Sequence, residues 1–277
     1  MPGRRTHSPR AWSPSAADTI HLERALPIDL VSIAILFFAG LAAGTINSIA
    51  GGGSLFTLPL LIFLGLPPTV ANGTNRIAIV SGSIGATMSF RRRGLIPLPW
   101  LKLAAPPALL GVVLGTWGAA RIGDLAFQRI LAVVLVVAAV WVVWNPMKPP
   151  TEGNPPPPDG GAGWLARGVF FAIGLYGGFI QAGVGFMVLG LTSAHGLDLI
   201  RGNAIKGPLV LVFTTLAVVL LAFSGLVDWV MGLTLASGQV FGAMAGVRLQ
   251  VLKGQAWVRN VLTAVIIVFA LRLLFMG

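Results

Sequence analysis

Two groups of residues with the chemistry to hold a small anion lie about 130 positions apart in this chain. The first comprises Asn47, Ser48, Gly51, Gly52, Gly53 and Ser54, followed by Asn72, Asn75 and Arg76. The second comprises Gln181, Gly183 and Gly185, followed by Asn203 and Lys206. Amide side chains and glycine-loop N–H groups can donate to oxygens, and each group ends in one cation. Free N–H groups at the start of a helix, with the positive end of its dipole, form a ready anion site. Gly51-Gly52-Gly53-Ser54 has neither the Lys nor the spaced second Gly of a nucleotide-binding P-loop. These fourteen residues are the candidate substrate-binding set. No nucleophile with an acid–base partner accompanies them, so no catalytic residue is assigned.

The elements that carry these residues belong in a membrane. Hydrophobic residues make up 56% of the chain and charged residues 10%, against about 25% charged in soluble domains. Apolar stretches at 97–119, 125–144, 207–224, 229–247 and 256–276 are long enough to cross a bilayer. Glycine-interrupted or mixed segments at 28–66, 69–90 and 164–195 bring the expectation to eight membrane-embedded segments. The fold class expected is an all-α polytopic membrane protein in a cytoplasmic membrane.

The net charge of +11 does not indicate a nucleic-acid partner. Most of its cations fall in short loops, where they anchor topology, and no aromatic-and-basic platform accompanies them. There is no cysteine, which removes disulfides and thiolate metal sites. The eight acids lie at 18, 23, 29, 124, 152, 159, 198 and 228, in tails, linker, loops or segment ends. No carboxylate is expected at mid-membrane to relay protons or hold a metal, and no cofactor is implied. His195, before Gly196, reads as a loop residue.

The chain divides into a mobile tail at 1–27, a first membrane repeat at 28–145, a Pro/Gly-rich linker at 146–163 and a second repeat at 164–277. Pro149, Pro150 and the Pro155–Pro158 run cannot form a helix and read as an exposed linker. Both halves step seven residues from glycine to amide, Gly65 to Asn72 and Gly196 to Asn203. Gly111, Gly115 and Arg121 recur at the same offsets as Gly238, Gly242 and Arg248; these glycines suit close helix contacts. The pairs Gly40/Gly44 and Gly174/Gly178 can pack within a chain or between chains, so a homo-oligomer is compatible with the sequence.

Loop charges bear on orientation. If every segment crosses once, six of the cations weighed lie inside with the Arg91–Arg93 loop and six lie outside. If segment 164–195 enters and leaves on one side, the division becomes ten against two. The positive-inside rule favours the second arrangement, so the halves are expected to be inverted repeats, each opening with a broken or re-entrant helix. By symmetry the tail would then lie outside, although it carries Arg4, Arg5, Arg10 and Arg24.

Irregular backbone survives in a bilayer only beside protein or a polar cavity. Asn47, Ser48 and the 51–54 loop are therefore expected to line one. Only fourteen residues separate Arg76 from Arg91, about 21 Å of helix against a core of about 30 Å. Arg76 thus falls inside the membrane profile, where a cation marks a functional site. Lys206 carries less weight, because 207–224 can cross without it.

The run Ala50-Gly51-Gly52-Gly53-Ser54 through Leu58-Pro59, with Ala71-Asn72-Gly73-Thr74-Asn75-Arg76, resembles the sulfite exporter TauE/SafE family. In the second half Asn203-Ala204-Ile205-Lys206 keeps only part of that pattern, and Leu189-Gly190 stands near the place of the proline. The resemblance implies a two-halved permease for sulfite, sulfoacetate or other small sulfur-containing anions. The function expected is a secondary transporter exporting such an oxyanion by alternating access. The alternative reading is an anion channel using the same residues, or a transporter of a different small organic anion. A lipid-modifying membrane enzyme is disfavoured for want of a reactive constellation.

Overall fold

The computed structural model describes residues 29–144 and 155–275. The N-terminal tail and linker residues 146–154 lie outside the described residues. The described chain is all-helical: α1 Leu30–Ile49, α2 Ser54–Phe63, α3 Pro68–Arg92, α4 Leu98–Ala119, α5 Asp124–Trp144, α6 Gly160–Phe179, α7 Val184–Ala194, α8 Leu199–Phe223 and α9 Trp229–Phe275. α9 is interrupted at Gly254, where φ is 76° and ψ −179°. α6 begins at Gly160, inside the stretch read as linker.

Among the described residues four helices are long and apolar enough to cross a membrane: Leu30–Ile49, Leu98–Ala119, Leu199–Phe223 and Trp229–Gly254. α3 has the length but carries Asn72, Thr74, Asn75 and Arg76, all buried. A polar helix of this kind is stable in a bilayer only when other helices cover it. α3 accordingly packs against α9 and α8.

Segments 28–66 and 164–195 are each divided by glycine into a long and a short helix. α1 stops because the N–H groups of Ala50 and Gly51 both return to the Ile46 carbonyl, and Gly51 turns left-handed at φ 91°. α6 stops as Ile180 turns extended, and Gly183 at φ 78° opens α7. The Tyr176 hydroxyl donates to the Ala182 carbonyl at 2.5 Å, which pins this second break.

The small-residue pairs decide how the halves join. Cβ atoms on Gly40 and Gly44 would strike the Leu235 and Gln239 carbonyls of α9, and those on Gly238 and Gly242 the Phe37 and Leu41 carbonyls of α1. In the same manner, Gly111 and Gly115 of α4 meet Phe171 and Leu175, and Gly174 and Gly178 of α6 meet Ala108 and Val112. The first helix of each half therefore packs against the fourth helix of the other. These glycine pairs serve packing within one chain, because only a missing side chain lets two backbones approach so closely.

The rising numbers along both contacts make α1 parallel to α9 and α6 parallel to α4. α3 also runs with α9, from Gly73 beside Leu226 to Gly85 beside Val240. α8 runs against α3: Gly207 meets Thr87, and the Asp228 N–H donates to Thr74 Oγ1 at 2.8 Å. Corresponding helices of the two halves thus run in opposite directions. The hairpin α1–α2 enters from the end of the bundle where α3 starts. The hairpin α6–α7 enters from the end carrying Arg91–Arg93.

Candidate functional site

The two hairpins meet at their glycine breaks. A Cβ on Gly51 would lie 2.6 Å from the Gly185 Cα, and one on Gly185 would overlap Gly51 in return. Beside this contact is a cavity of about 20 Å³, close to the room one water needs. Asn47, Ser48, Gly51 and Ser54 line it from the first hairpin, with Gln181, Val184 and Gly185 from the second. α3 adds Ile79, Gly82, Ser83 and Ala86, α8 adds Lys206, Gly207 and Val210, and α9 adds Ala243. The half-helices α2 and α7 both begin at the cavity, and neither has a side-chain N-cap. First-turn N–H groups have no acceptor inside their own helix. Two positive dipole ends therefore face the same small space.

Lys206 is the cation of this cavity. It is 5% exposed, and its Nζ donates to the Asn47 carbonyl at 2.5 Å and to Asn203 Oδ1 at 2.6 Å. Asn203 in turn donates through Nδ2 to the Ile49 carbonyl at 2.8 Å and to Gln250 Oε1 at 2.9 Å. Lys206 and Asn203 together close the carbonyl end of α1, where the dipole is negative and carbonyls lack helical partners. Two of the three ammonium donors are used in this way.

Arg76 does the corresponding work at the end of α6. Nη1 donates to the Gly177 carbonyl at 2.8 Å and to Gln181 Oε1 at 3.2 Å. Nη2 donates to the Gly178 and Phe179 carbonyls at 2.7 and 3.4 Å. Asn72 Nδ2 joins at the Phe179 carbonyl, 3.1 Å away. Each clasp ties the central helix of one half to the hairpin of the other. Among the described residues the buried polar and charged set contains no acid, and the ion pair formed is Arg201–Asp198 at a helix start. Both buried cations are compensated by carbonyl dipoles alone.

Seven of the fourteen sequence-derived candidates line the cavity: Asn47, Ser48, Gly51, Ser54, Gln181, Gly185 and Lys206. The others stand behind it. Gly52 and Gly53 give close passage to Phe186 and to the Ala43 carbonyl, and Gly183 makes the turn. Asn203 acts through Lys206, and Asn72 and Arg76 cap α6. Asn75 Oδ1 accepts the Thr57 hydroxyl at 2.6 Å. Arg76, which the sequence ranks above Lys206, is not among the lining residues. The face Ile79, Gly82, Ser83 and Ala86 went unselected, although its i, i+3, i+4, i+7 spacing of mostly small residues one turn beyond Arg76 is readable.

A test of the hairpin contact follows from Gly185. A methyl there has no flexible neighbour to displace, only the Gly51 backbone. Gly185→Ala is expected to cost about 1–3 kcal/mol of stability through overpacking, read as a lowered unfolding temperature in detergent.

Comparisons with known proteins bear on the chain as a whole. The family model described as Sulfite exporter TauE/SafE matches residues 36–273. A relative from Sinorhizobium sp, named "Probable membrane transporter protein ORF9", is 33% identical over 252 residues, covering 87% of this chain and 92% of its own. "Probable membrane transporter protein YfcA" of Escherichia coli K12 is 29% identical over 244 residues, with 88% and 90% covered. A "Probable membrane transporter protein" of Haemophilus influenzae is 27% identical over 235 residues, with 84% and 89% covered. No solved structure gives a significant match. With a family model spanning most of its length, relatives alike along nearly their whole chains and a bundle of apolar spans, this chain belongs to the sulfite exporter TauE/SafE family and is a multi-pass membrane transporter.

Proposed function

We propose that this transporter exports a small sulfur-containing oxyanion, sulfite or an organosulfonate such as sulfoacetate, across the cytoplasmic membrane by alternating access. The observation that carries this reading is Lys206: a buried ammonium in a cavity without a carboxylate, beside the N-terminal dipole ends of α2 and α7. A buried cation costs free energy unless it is paired, and an oxyanion supplies the missing charge. It would take donors from Lys206, the half-helix N–H groups, Ser54 and Gln181. The family's name supports sulfite as the first substrate to try.

In this mechanism the oxyanion competes with the Asn47 carbonyl for the Lys206 ammonium. Binding therefore loosens the clasp that holds α1 to α8. The cavity has to widen from its 20 Å³ before it admits an anion, and the Gly51–Gly185 contact obstructs a continuous pore. Both features favour a carrier over a channel. The opposite directions of corresponding helices support an inverted-repeat exchange, with one hairpin opening as the other closes. An inside-negative potential assists efflux by about 2.3 kcal/mol per charge per 100 mV, enough to drive export without a coupling ion.

The test is flux of labelled sulfite in proteoliposomes, with sulfoacetate, thiosulfate and sulfate as competitors. Saturable counterflow is the expected result. Ohmic single-channel currents would replace the carrier with a channel, and absence of flux for all these anions from folded protein would remove the sulfur-anion assignment.

A further inference from the structure

A second, larger space lies away from the central cavity, between the C-terminal ends of α4 and α8. It holds about 410 Å³, lined by Val113, Thr116, Trp117 and Arg121 on one side and Leu220 and Ser224 on the other. α5 leaves α4 at this point to pack on α9 and α3, so it does not cover the groove. The size lies within the roughly 300–1,000 Å³ usual for ligand pockets.

Its chemistry is divided along its length. At the rim, the Arg121 guanidinium lies 3.9 Å from the centre of the Trp117 ring, which holds it in place. No acid pairs with Arg121 among the described residues. Asp124, the nearest acid in sequence, is engaged by the Thr69 N–H at 3.0 Å and the Thr69 hydroxyl at 2.6 Å. Towards the bundle centre the walls are Val113 and Leu220. Val113 is 42% exposed and Trp117 60%; in a membrane span such apolar surface faces acyl chains. A Trp in the last turn of a spanning helix and an Arg just beyond it mark the level of the headgroups. The groove thus offers a free cation at headgroup depth and an apolar channel running down from it.

The geometry points to a site for an anionic phospholipid, with its phosphodiester on Arg121 and an acyl chain against Val113, Trp117 and Leu220. A small soluble oxyanion would leave the apolar walls of the groove uncovered, and a zwitterionic lipid would set a second cation beside Arg121. The floor connects this site to the transport machinery. The Thr116 hydroxyl donates at 3.2 Å to the Gly178 carbonyl, which also accepts from Arg76. The assignment does not depend on which anion is transported.

A photoreactive phosphatidylglycerol at trace level in phosphatidylcholine vesicles tests it, with the full-length protein reconstituted and the labelled peptides mapped. Labelling is expected at 113–121 and 220–224. It should fall about fivefold in Arg121→Gln, as the loss of roughly 1 kcal/mol per cation at the membrane surface requires, and return in Arg121→Lys. Leu220→Trp, which fills the groove, should block it, with unfolding temperatures of all three variants equal to that of the wild type. Equal labelling by a photoreactive phosphatidylcholine, or no change in Arg121→Gln, would overturn the proposal. Displacement of the label by soluble glycerol phosphate or sulfite would also overturn it, assigning the groove to a free anion.

Discussion

Lys206→Met is expected to reduce sulfite counterflow by about 30-fold or more while the protein still folds. Losing one member of a buried, hydrogen-bonded charge pair costs about 2–5 kcal/mol of binding, and every 1.4 kcal/mol is about tenfold. Methionine nearly reproduces the length of the lysine stem. It leaves the Asn47 carbonyl and Asn203 Oδ1 without their donor, a penalty of about 1–3 kcal/mol. Removal of an ammonium buried without a counter-ion offsets part of that penalty. Lys206→Arg keeps the charge but brings a larger head into a cavity of 20 Å³, so intermediate flux is expected. The measurement pairs counterflow with thermal unfolding of the same preparations. Undiminished flux in Lys206→Met would remove this residue from the substrate site.

Arg76→Ala is expected to fail differently. Its guanidinium holds the Gly177, Gly178 and Phe179 carbonyls and Gln181. Hydrogen bonds to a charged group contribute about 1.5–3 kcal/mol each, so losing two or three of them takes much of a typical margin of about 5–15 kcal/mol. The expected result is a steep fall in unfolding temperature and in recoverable protein, not a selective loss of flux. Arg76→Lys should recover only part, because an ammonium cannot span carbonyls that a planar fork reaches together. A variant Arg76→Ala that unfolds like the wild type yet transports nothing would reverse this reading. It would place Arg76 on the anion in another state of the cycle.

The contrast between these two cations shows where the sequence could be read and where it could not. Both follow a glycine break by a similar interval, but only the depth of Arg76 is legible, from its spacing to Arg91; Lys206 lies inside the span because α8 starts at Leu199. Which of them faces the cavity is not legible. Arg76 and Gly177 are 101 positions apart, and Lys206 and Asn47 are 159 apart. No local pattern specifies how a helix of one half is rotated towards the hairpin of the other. Ser83 escaped notice for the same reason: its neighbours Gly82 and Ala86 read as packing residues until the cavity lies beside them.

The GxxxG pairs illustrate a second kind of limit. Their spacing announces a close helix contact but is silent about the partner. Gly40 and Gly44 of α1 could equally have met a second copy of the chain. The carbonyls of Leu235 and Gln239 occupy that face instead.

By itself the sequence determined the solvent and the punctuation of this protein. Apolar composition requires a bilayer, and glycine at 51 and 183 divides two spans, because backbone at φ near 90° and 80° is open to glycine and strained for other residues. The absence of acids from the spans follows from composition as well. Only the tertiary structure decided that the first helix of each half crosses over to the other. It also decided that the two breaks abut at Gly51 and Gly185, and that carbonyl dipoles, not carboxylates, hold the two cations. Periodicity and composition are properties of a segment, while a cation's partners are set by whichever distant backbone ends the packing brings within hydrogen-bond reach.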